Sequence, residues 1–285
     1  MENVKLIKRE NGDMMLSKVE VNIFDLLKIN SLPSELEKYI AESNISDEIF
    51  SDKDKVLLIK DKGIYLKISE KESLREEYEN TLFFSNLGVA GEVVDYFNDD
   101  KYDYLLIKEI NGESGISDYH INNPKKLVSK FAEHLRMIHD LRYERSPKIN
   151  RTEDLIKQCT INVREDKFDM EDFFNKYGFT PNQGLLMLDS LKLSHINDVY
   201  IHGKYCLPNI IMNDYEFKGI INMNLSGMGD RHFDIMSAIK SLGISLKTRE
   251  YDDLFLDVYG RELIDKDRLA FAKLLLILSN NVALS

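Results

Sequence analysis

Apolar positions recur along this 285-residue chain at two different periods. Up to about residue 107, short apolar runs alternate with turn residues. Beyond it they recur every three to four positions, the spacing of a helical face. Near the start, Val4-Lys5-Leu6-Ile7 and Met14 to Val21 flank Glu10-Asn11-Gly12-Asp13. Asn-Gly tolerates the positive φ of a tight turn, so a hairpin is expected there. A short helix is expected from Pro33, with Leu36, Tyr39 and Ile40 on one face. Strands over 56–59 and 64–68 are joined by Lys60-Asp61-Lys62-Gly63. In the second strand, Tyr65 and Lys67 face away from Ile64, Leu66 and Ile68. A helix over 74–84 places Leu74, Tyr78 and Leu82 four residues apart and stops near Gly88. Strands over 89–97 and 102–107 then meet at Asn98-Asp99-Asp100.

The polar stretch 108–115 contains two glycines and reads as a hinge. After it, Asn123 is placed to cap a helix begun by Pro124, with Leu127, Phe131, Leu135 and Ile138 as its buried stripe. Helices are expected over 152–159, 169–177 (ended by Gly178), 182–191, 233–242, 248–259 and 265–279, and strands over 199–202, 210–212 and 217–221. The order hairpin, helix, hairpin, then helices is not that of a doubly wound parallel sheet. It predicts an α+β chain: a hairpin extension over 1–30, a mixed-β lobe over 31–107, a hinge over 108–115 and a mainly helical lobe over 116–285.

Composition narrows the function. Lys plus Arg number 38 against 49 Asp plus Glu, a formal net charge of −11, which disfavours nucleic acid or an anionic membrane as a partner. The longest apolar run, Leu274 to Leu278, falls far short of the ~20 residues of a membrane span. The first residues lack a signal-peptide core. Two cysteines, Cys159 and Cys206, make neither a zinc cluster nor a disulfide framework. A cytoplasmic location is expected.

The informative stretch runs from Tyr200 to Asp234. It holds His202-Gly203-Lys204-Tyr205-Cys206-Leu207-Pro208-Asn209, then Ile221-Asn222-Met223-Asn224-Leu225-Ser226-Gly227-Met228-Gly229-Asp230, then Asp234. This resembles the aminoglycoside phosphotransferase family, which shares the protein-kinase architecture and reads H-G-D-x-x-x-x-N followed by I-D-x-G-x-x-G-x-x-D. Tyr65-Leu66-Lys67-Ile68 resembles the strand bearing that family's nucleotide-contacting lysine, and Glu77 matches the glutamate that pairs with it. Leu105 to Glu109, with Gly112-Glu113, resembles the lobe connection that meets adenine, which makes Glu109 a nucleotide-site candidate. Leu135-Arg136-Met137-Ile138-His139 resembles a helix end written L-R-x-[LF]-H. The resemblance therefore implies a bilobal protein-kinase-like fold, with Lys67, Glu77, Glu109, Asn209 and Asn222 around the nucleotide.

Lys204 stands where relatives have the aspartate that orients the attacking hydroxyl. A lysine has the wrong charge and hydrogen-bonding sense for that role. It is expected to be non-functional there, or to act as a built-in cation. Asn222 replaces the metal-binding aspartate, leaving Asn209 and Asn222, two amides, for any residual metal site. Asn224 replaces a glycine. His202 is expected to brace the loop, and Asp230 and Asp234 to stabilise the start of the next helix. The segment 49–55, matched to the phosphate-covering loop, has no glycine, and the tail 274–281 has no carboxylate to hold a substrate amine.

These departures together lead to the expectation of a catalytically inactive, pseudokinase-like protein acting through ligand or protein binding. The alternative is an ATP-dependent phosphotransferase acting on a small-molecule hydroxyl other than a typical aminoglycoside. The residues fix no cofactor: ATP is what the resemblance implies, with magnesium weak or absent. A nucleotide or small molecule is the expected cleft ligand, and the hairpin edge offers a template to a protein partner.

Overall fold

The structure, a computed structural model, describes residues 4–8, 14–18, 33–40, 43, 45–50, 55–141, 150–191 and 198–279. The chain divides into two compact units. One holds residues 1–75 and 93–109, and the other residues 76–92 and 110–285. The expected α+β architecture is present: a β-rich unit and a largely helical one.

In the first unit, β1 (Val4–Lys8) and β2 (Met14–Lys18) pair antiparallel, Leu6 opposite Leu16, as the hairpin pattern predicts. The helix after Pro33 is α1 (Ser34–Ile40). Strands β3 (Ile45–Phe50), β4 (Lys55–Ile59), β5 (Ile64–Glu70), β6 (Val93–Asn98) and β7 (Tyr102–Lys108) form one antiparallel sheet in the order β3-β4-β5-β7-β6. Strand β3 is an addition to the sequence reading. The alternation in β5 buries Ile64, Leu66 and Ile68 and leaves Tyr65 and Lys67 half-buried. Leu36 and Ile40 of α1 pack with Leu57, Ile59, Leu66, Tyr104 and Leu106 into one core. The Lys62 ammonium donates to the carbonyls of Lys38 and Tyr39 at 3.0 and 2.7 Å, fastening the end of α1 beside the β4–β5 turn.

Helix α2 (Arg75–Asn86) lies almost wholly in the second unit, although the sequence reading placed it in the N-terminal lobe. That unit continues through β8 (Glu113–Ser114), α3 (Asp118–Ile121), α4 (Pro124–His139), α5 (Arg151–Arg164), α6 (Met170–Tyr177) and α7 (Pro181–Ser190). It closes with β9 (Val199–Ile201), β10 (Ile210–Asn213), β11 (Glu216–Ile220), β12 (Gly227–Gly229), α8 (Arg231–Leu246), α9 (Asp252–Tyr259) and α10 (Lys266–Leu278). Helix α4 begins as expected: Asn123 accepts from the Lys126 N–H at 3.3 Å. Its stripe Leu127, Phe131, Leu135 and Ile138 is fully buried. Each such side chain contributes about 1.5–3 kcal/mol relative to exposure. Asp169 caps α6, and Gly178 ends it at φ 77°. Among the described residues no helix is long and apolar enough to cross a membrane.

Candidate active site

Two short ribbons frame the site within the second unit. Strand β9 pairs with β12, Ile201 opposite Gly227, and β10 pairs with β11. The chain leaving β9 forms the loop 202–209, and the chain leaving β11 passes through Asn222 into β12. Ile221 N–H donates to the Asn209 carbonyl at 3.0 Å, so the two motif segments are joined through their backbones.

The 202–209 loop is held from beneath by a buried carboxylate. Asp234, in the first turn of α8, accepts from the His202 N–H at 2.6 Å and the Gly203 N–H at 2.9 Å. It was expected to stabilise the start of its own helix, but its oxygens serve the loop instead. His139, at the end of α4, approaches Asp234 Oδ2 through Nε2 at 3.3 Å and the Tyr259 hydroxyl through Nδ1 at 2.8 Å. The His139 ring thus bridges the Asp234 carboxylate and the Tyr259 hydroxyl. Asp230 does cap α8, accepting from the His232 N–H at 3.0 Å.

His202 is completely buried. Its Nδ1 accepts from the Lys204 N–H at 3.1 Å, and its Nε2 lies 3.0 Å from the Ile221 carbonyl, to which it donates. Burial pushes its pKa down, more than the nearby Asp234 charge raises it. A neutral ring with both nitrogens engaged fits the bracing role. Ser226 Oγ donates to the His202 carbonyl at 3.0 Å, and Asn80 Nδ2 donates to the carbonyls of Met223 and Ser226 at 3.0 and 3.1 Å. Ser226, Asn80, His139 and Tyr259 therefore support the loop, a role the sequence reading did not assign them.

Lys204 is fixed through its backbone, since its carbonyl accepts from Asn209 Nδ2 at 3.0 Å. Its side chain is half-buried, and among the described residues no carboxylate pairs with its ammonium. Asn209 Oδ1 accepts from Asn222 Nδ2 at 2.8 Å. Asn222 itself adopts the left-handed conformation, φ 62°, which asparagine accepts more readily than most residues. Met223 to Leu225 then make a short 3₁₀ turn, and Asn224 is exposed. Cys206 is a buried filler whose thiol burial pushes up to about 11.

Lys67 stands in β5 of the first unit, and Glu77 is almost completely buried on α2 in the second. Glu109 is exposed at the end of the first unit, and its N–H donates to the Gly63 carbonyl at 2.8 Å. Residues 51–54 of the segment matched to the phosphate-covering loop, and 280–281 of the tail, lie outside the described residues.

A divalent cation held by the protein does not fit this donor set. Asp214 accepts from the Tyr119 hydroxyl at 2.8 Å and Lys126 Nζ at 3.4 Å. Asp230 is bound by His232 and Arg268, and Asp234 by the loop. What remains is two amides and no carboxylate, with Asn222 Nδ2 turned onto Asn209 Oδ1. Among the described residues no group of three or more His, Cys, Asp or Glu could hold a metal ion.

Asp230 also sets a pH dependence. Burial alone would raise its pKa, but bonds from His232 (2.6 Å) and Arg268 (2.9 Å) outweigh it and hold the carboxyl below its usual range. A lowered folded pKa contributes stability above the unfolded value near ~3.9 that is lost as pH falls through the folded one. Asp230→Asn is expected to cost about 1–2 kcal/mol at neutral pH. The gap to wild type should narrow below about pH 4 in thermal melts, where wild type loses the same contribution. A gap that stays constant into acid would contradict this.

The sequence model of the phosphotransferase enzyme family matches residues 51–272. The chain is 35% identical over 245 residues to a probable aminoglycoside 3'-phosphotransferase of Lactococcus lactis, covering 85% of this chain and 93% of that one. It is 33% identical over 171 residues to an aminoglycoside 3'-phosphotransferase of Niallia circulans, covering 59% and 64%. Its fold matches the crystal structure of an aminoglycoside-3'-phosphotransferase of type VIII with TM-score 0.69 at 20% identity, covering 86% of this chain and all of that one. It also matches the aminoglycoside phosphotransferase APH(3'')-Id of Streptomyces rimosus in complex with ADP and streptomycin, TM-score 0.70 at 18% identity, covering 91% and 99%.

These relatives correct the expectation of an inactive, pseudokinase-like protein, and with it the expectation that the chain is not an enzyme. That expectation rested on Lys204, Asn222, the glycine-free segment 49–55 and the carboxylate-free tail 274–281. Phosphoryl transfer through a loose transition state depends mainly on positioning and charge stabilisation, with little work for a protein base. The match across nearly the whole of a probable aminoglycoside 3'-phosphotransferase therefore outweighs these departures, and the chain belongs to the aminoglycoside phosphotransferase family.

Proposed function

We propose that this chain is an ATP-dependent phosphotransferase acting on a small-molecule hydroxyl other than a typical aminoglycoside. The observation that carries the reading is the 35% identity spanning 93% of the Lactococcus lactis relative, whose name assigns it phosphotransfer. The intact loop supports it: His202, Asn209 and Asp234 keep a rigid backbone turn around position 204. The acceptor oxygen bonds to the γ-phosphorus as that phosphorus loses its bond to the bridging oxygen. The electron pair leaves with ADP, and the hydroxyl proton passes to an oxygen of the transferred group. Alignment by the fixed loop, rather than a carboxylate base, is the protein's contribution. The last turns of α10 argue against a polycationic acceptor, since Leu274 to Ser279 contain no carboxylate.

The test is ADP formation by the purified full chain with a panel of sugars, nucleosides, amino alcohols and aminoglycosides. Acceptor-dependent ADP release and a matching phosphorylated product are expected, with aminoglycosides slower than the best of the others. Absence of phosphorylated product across the whole panel would remove the reading.

A further inference from the structure

The replacements at 204 and 222 act in one electrostatic direction. Against the motif that the chain resembles, with aspartate at both positions, Lys204 adds two positive charges and Asn222 adds one. A site that elsewhere presents carboxylates to a metal here presents an ammonium and amides to whatever approaches. Of the aspartates that follow position 204, Asp214 is paired with Lys126 and Asp230 with Arg268, and Asp234 turns its oxygens beneath the loop onto the His202 and Gly203 N–H groups. Asn222 directs an amide N–H onto Asn209 Oδ1, further reducing what the pair offers a cation.

The position of Lys204 is set by the fold. Its N–H is held by His202 and its carbonyl by Asn209, so both peptide groups beside its Cα are fixed by buried partners. Asn209 links this residue directly to Asn222. The ammonium at the end of its four-carbon stem is a compact cation with three donors. Such a group binds phosphate oxygens as a point charge.

We propose that Lys204 is a phosphate-binding residue that takes the electrostatic place of a protein-held divalent cation, so that a nucleoside triphosphate binds through it without magnesium. This rests on the phosphotransferase reading above, since it assumes that a triphosphate is the phosphoryl donor. It assigns to position 204 a contact with the donor's phosphates, in place of a base's contact with the acceptor hydroxyl. Asn222 belongs to the same device, because a carboxylate there would repel the phosphates unless a metal came between them.

The test is calorimetric binding of ATP, and of adenosine as a control, to the full chain in EDTA and in millimolar magnesium. Wild type should bind ATP with affinities that agree within about threefold in the two conditions. Lys204→Ala should weaken ATP binding in EDTA by roughly tenfold or more, leave adenosine binding within about threefold, and Lys204→Arg should recover most of the loss. Asn222→Asp should make ATP binding depend on magnesium. Wild-type ATP affinity rising tenfold or more with magnesium would overturn the proposal. So would Lys204→Ala binding ATP normally in EDTA, or losing adenosine and ATP alike, the sign of a merely structural role. No ATP binding in either condition would overturn it too. Product formation alongside strictly magnesium-dependent binding would sink this proposal alone. Magnesium-independent binding through Lys204 with no product for any acceptor would sink phosphotransfer alone.

Discussion

Replacing Asp234 with alanine is expected to lower stability by roughly 3–5 kcal/mol, on the order of 10 °C in melting temperature for a chain of this size. Asp234 is completely buried, and its carboxylate accepts the two loop N–H groups at 2.6 and 2.9 Å and faces His139 at 3.3 Å. Removing it leaves buried donors without acceptors, a penalty larger than the net gain from any single hydrogen bond. Asp234→Asn should be milder, because its amide oxygen still accepts one loop N–H, but its amide hydrogens then face the second. The loop follows the carboxylate, so nucleotide binding should fall in both variants even where they remain folded. Thermal melts and ATP titration check this. An Asp234→Ala protein with a wild-type melt would show that the carboxylate is not what holds the loop.

Gly203→Ala is the second large effect. Gly203 sits at φ 78°, a left-handed conformation costly for residues with a Cβ. A Cβ built there would lie 2.0 Å from the Leu225 carbonyl oxygen and 2.7 Å from its carbon. These are backbone atoms at the end of the 3₁₀ turn and cannot swing aside like a side-chain tip. Either the 202–209 loop or the 223–226 turn must move, and both carry site residues. A cost of about 3 kcal/mol is expected from the conformation and the overlap together, with loss of ATP binding. Gly178→Ala makes a useful contrast. It also has positive φ, 77°, but nothing lies within 4 Å of the added carbon, so only the conformational part applies. Equal melts for the two variants would show that the Leu225 contact is unimportant.

The elements that were legible in the sequence carry their own local causes. Helix α4 has a cap, a first-turn proline and an uninterrupted apolar stripe, and α6 has an aspartate cap and a stopping glycine. Strand β12 could not be read so, because Gly-Met-Gly has little preference for extended structure and pairs only because β9 lies beside it. Strand β3 was hidden by Ser46-Asp47-Glu48, which reads as a turn until β4 is present to pair with it.

The candidate site divides in the same way. Asn209 bonds to both the Lys204 carbonyl and Asn222, a meeting that the fixed spacing of the two motif segments makes legible. Asn80, His139 and Tyr259 were not read as site residues, because they reach the loop from helices distant in sequence. Asp234 was found, but its partners were not: the first turn of a helix is a sufficient local explanation for an aspartate, and the loop it holds lies about thirty residues earlier. Lys204, Asn222, the glycine-free segment 49–55 and the carboxylate-free tail together point, in the sequence, to absence of chemistry. That inference treats one way of aligning and charge-balancing a triphosphate as the requirement itself, whereas the requirement is only alignment and charge.

If the chain is a phosphotransferase, a site with lysine at 204 and asparagine at 222 must still transfer phosphate. The most direct measurement follows the γ-phosphate of labelled ATP into the acceptor identified by the panel, with mass spectrometry of the product. Wild type and Lys67→Ala, prepared identically, exclude a contaminating kinase. Wild type should place stoichiometric label in the acceptor, and Lys67→Ala should lose it. Label released only as inorganic phosphate, or product formed equally by both preparations, would contradict this.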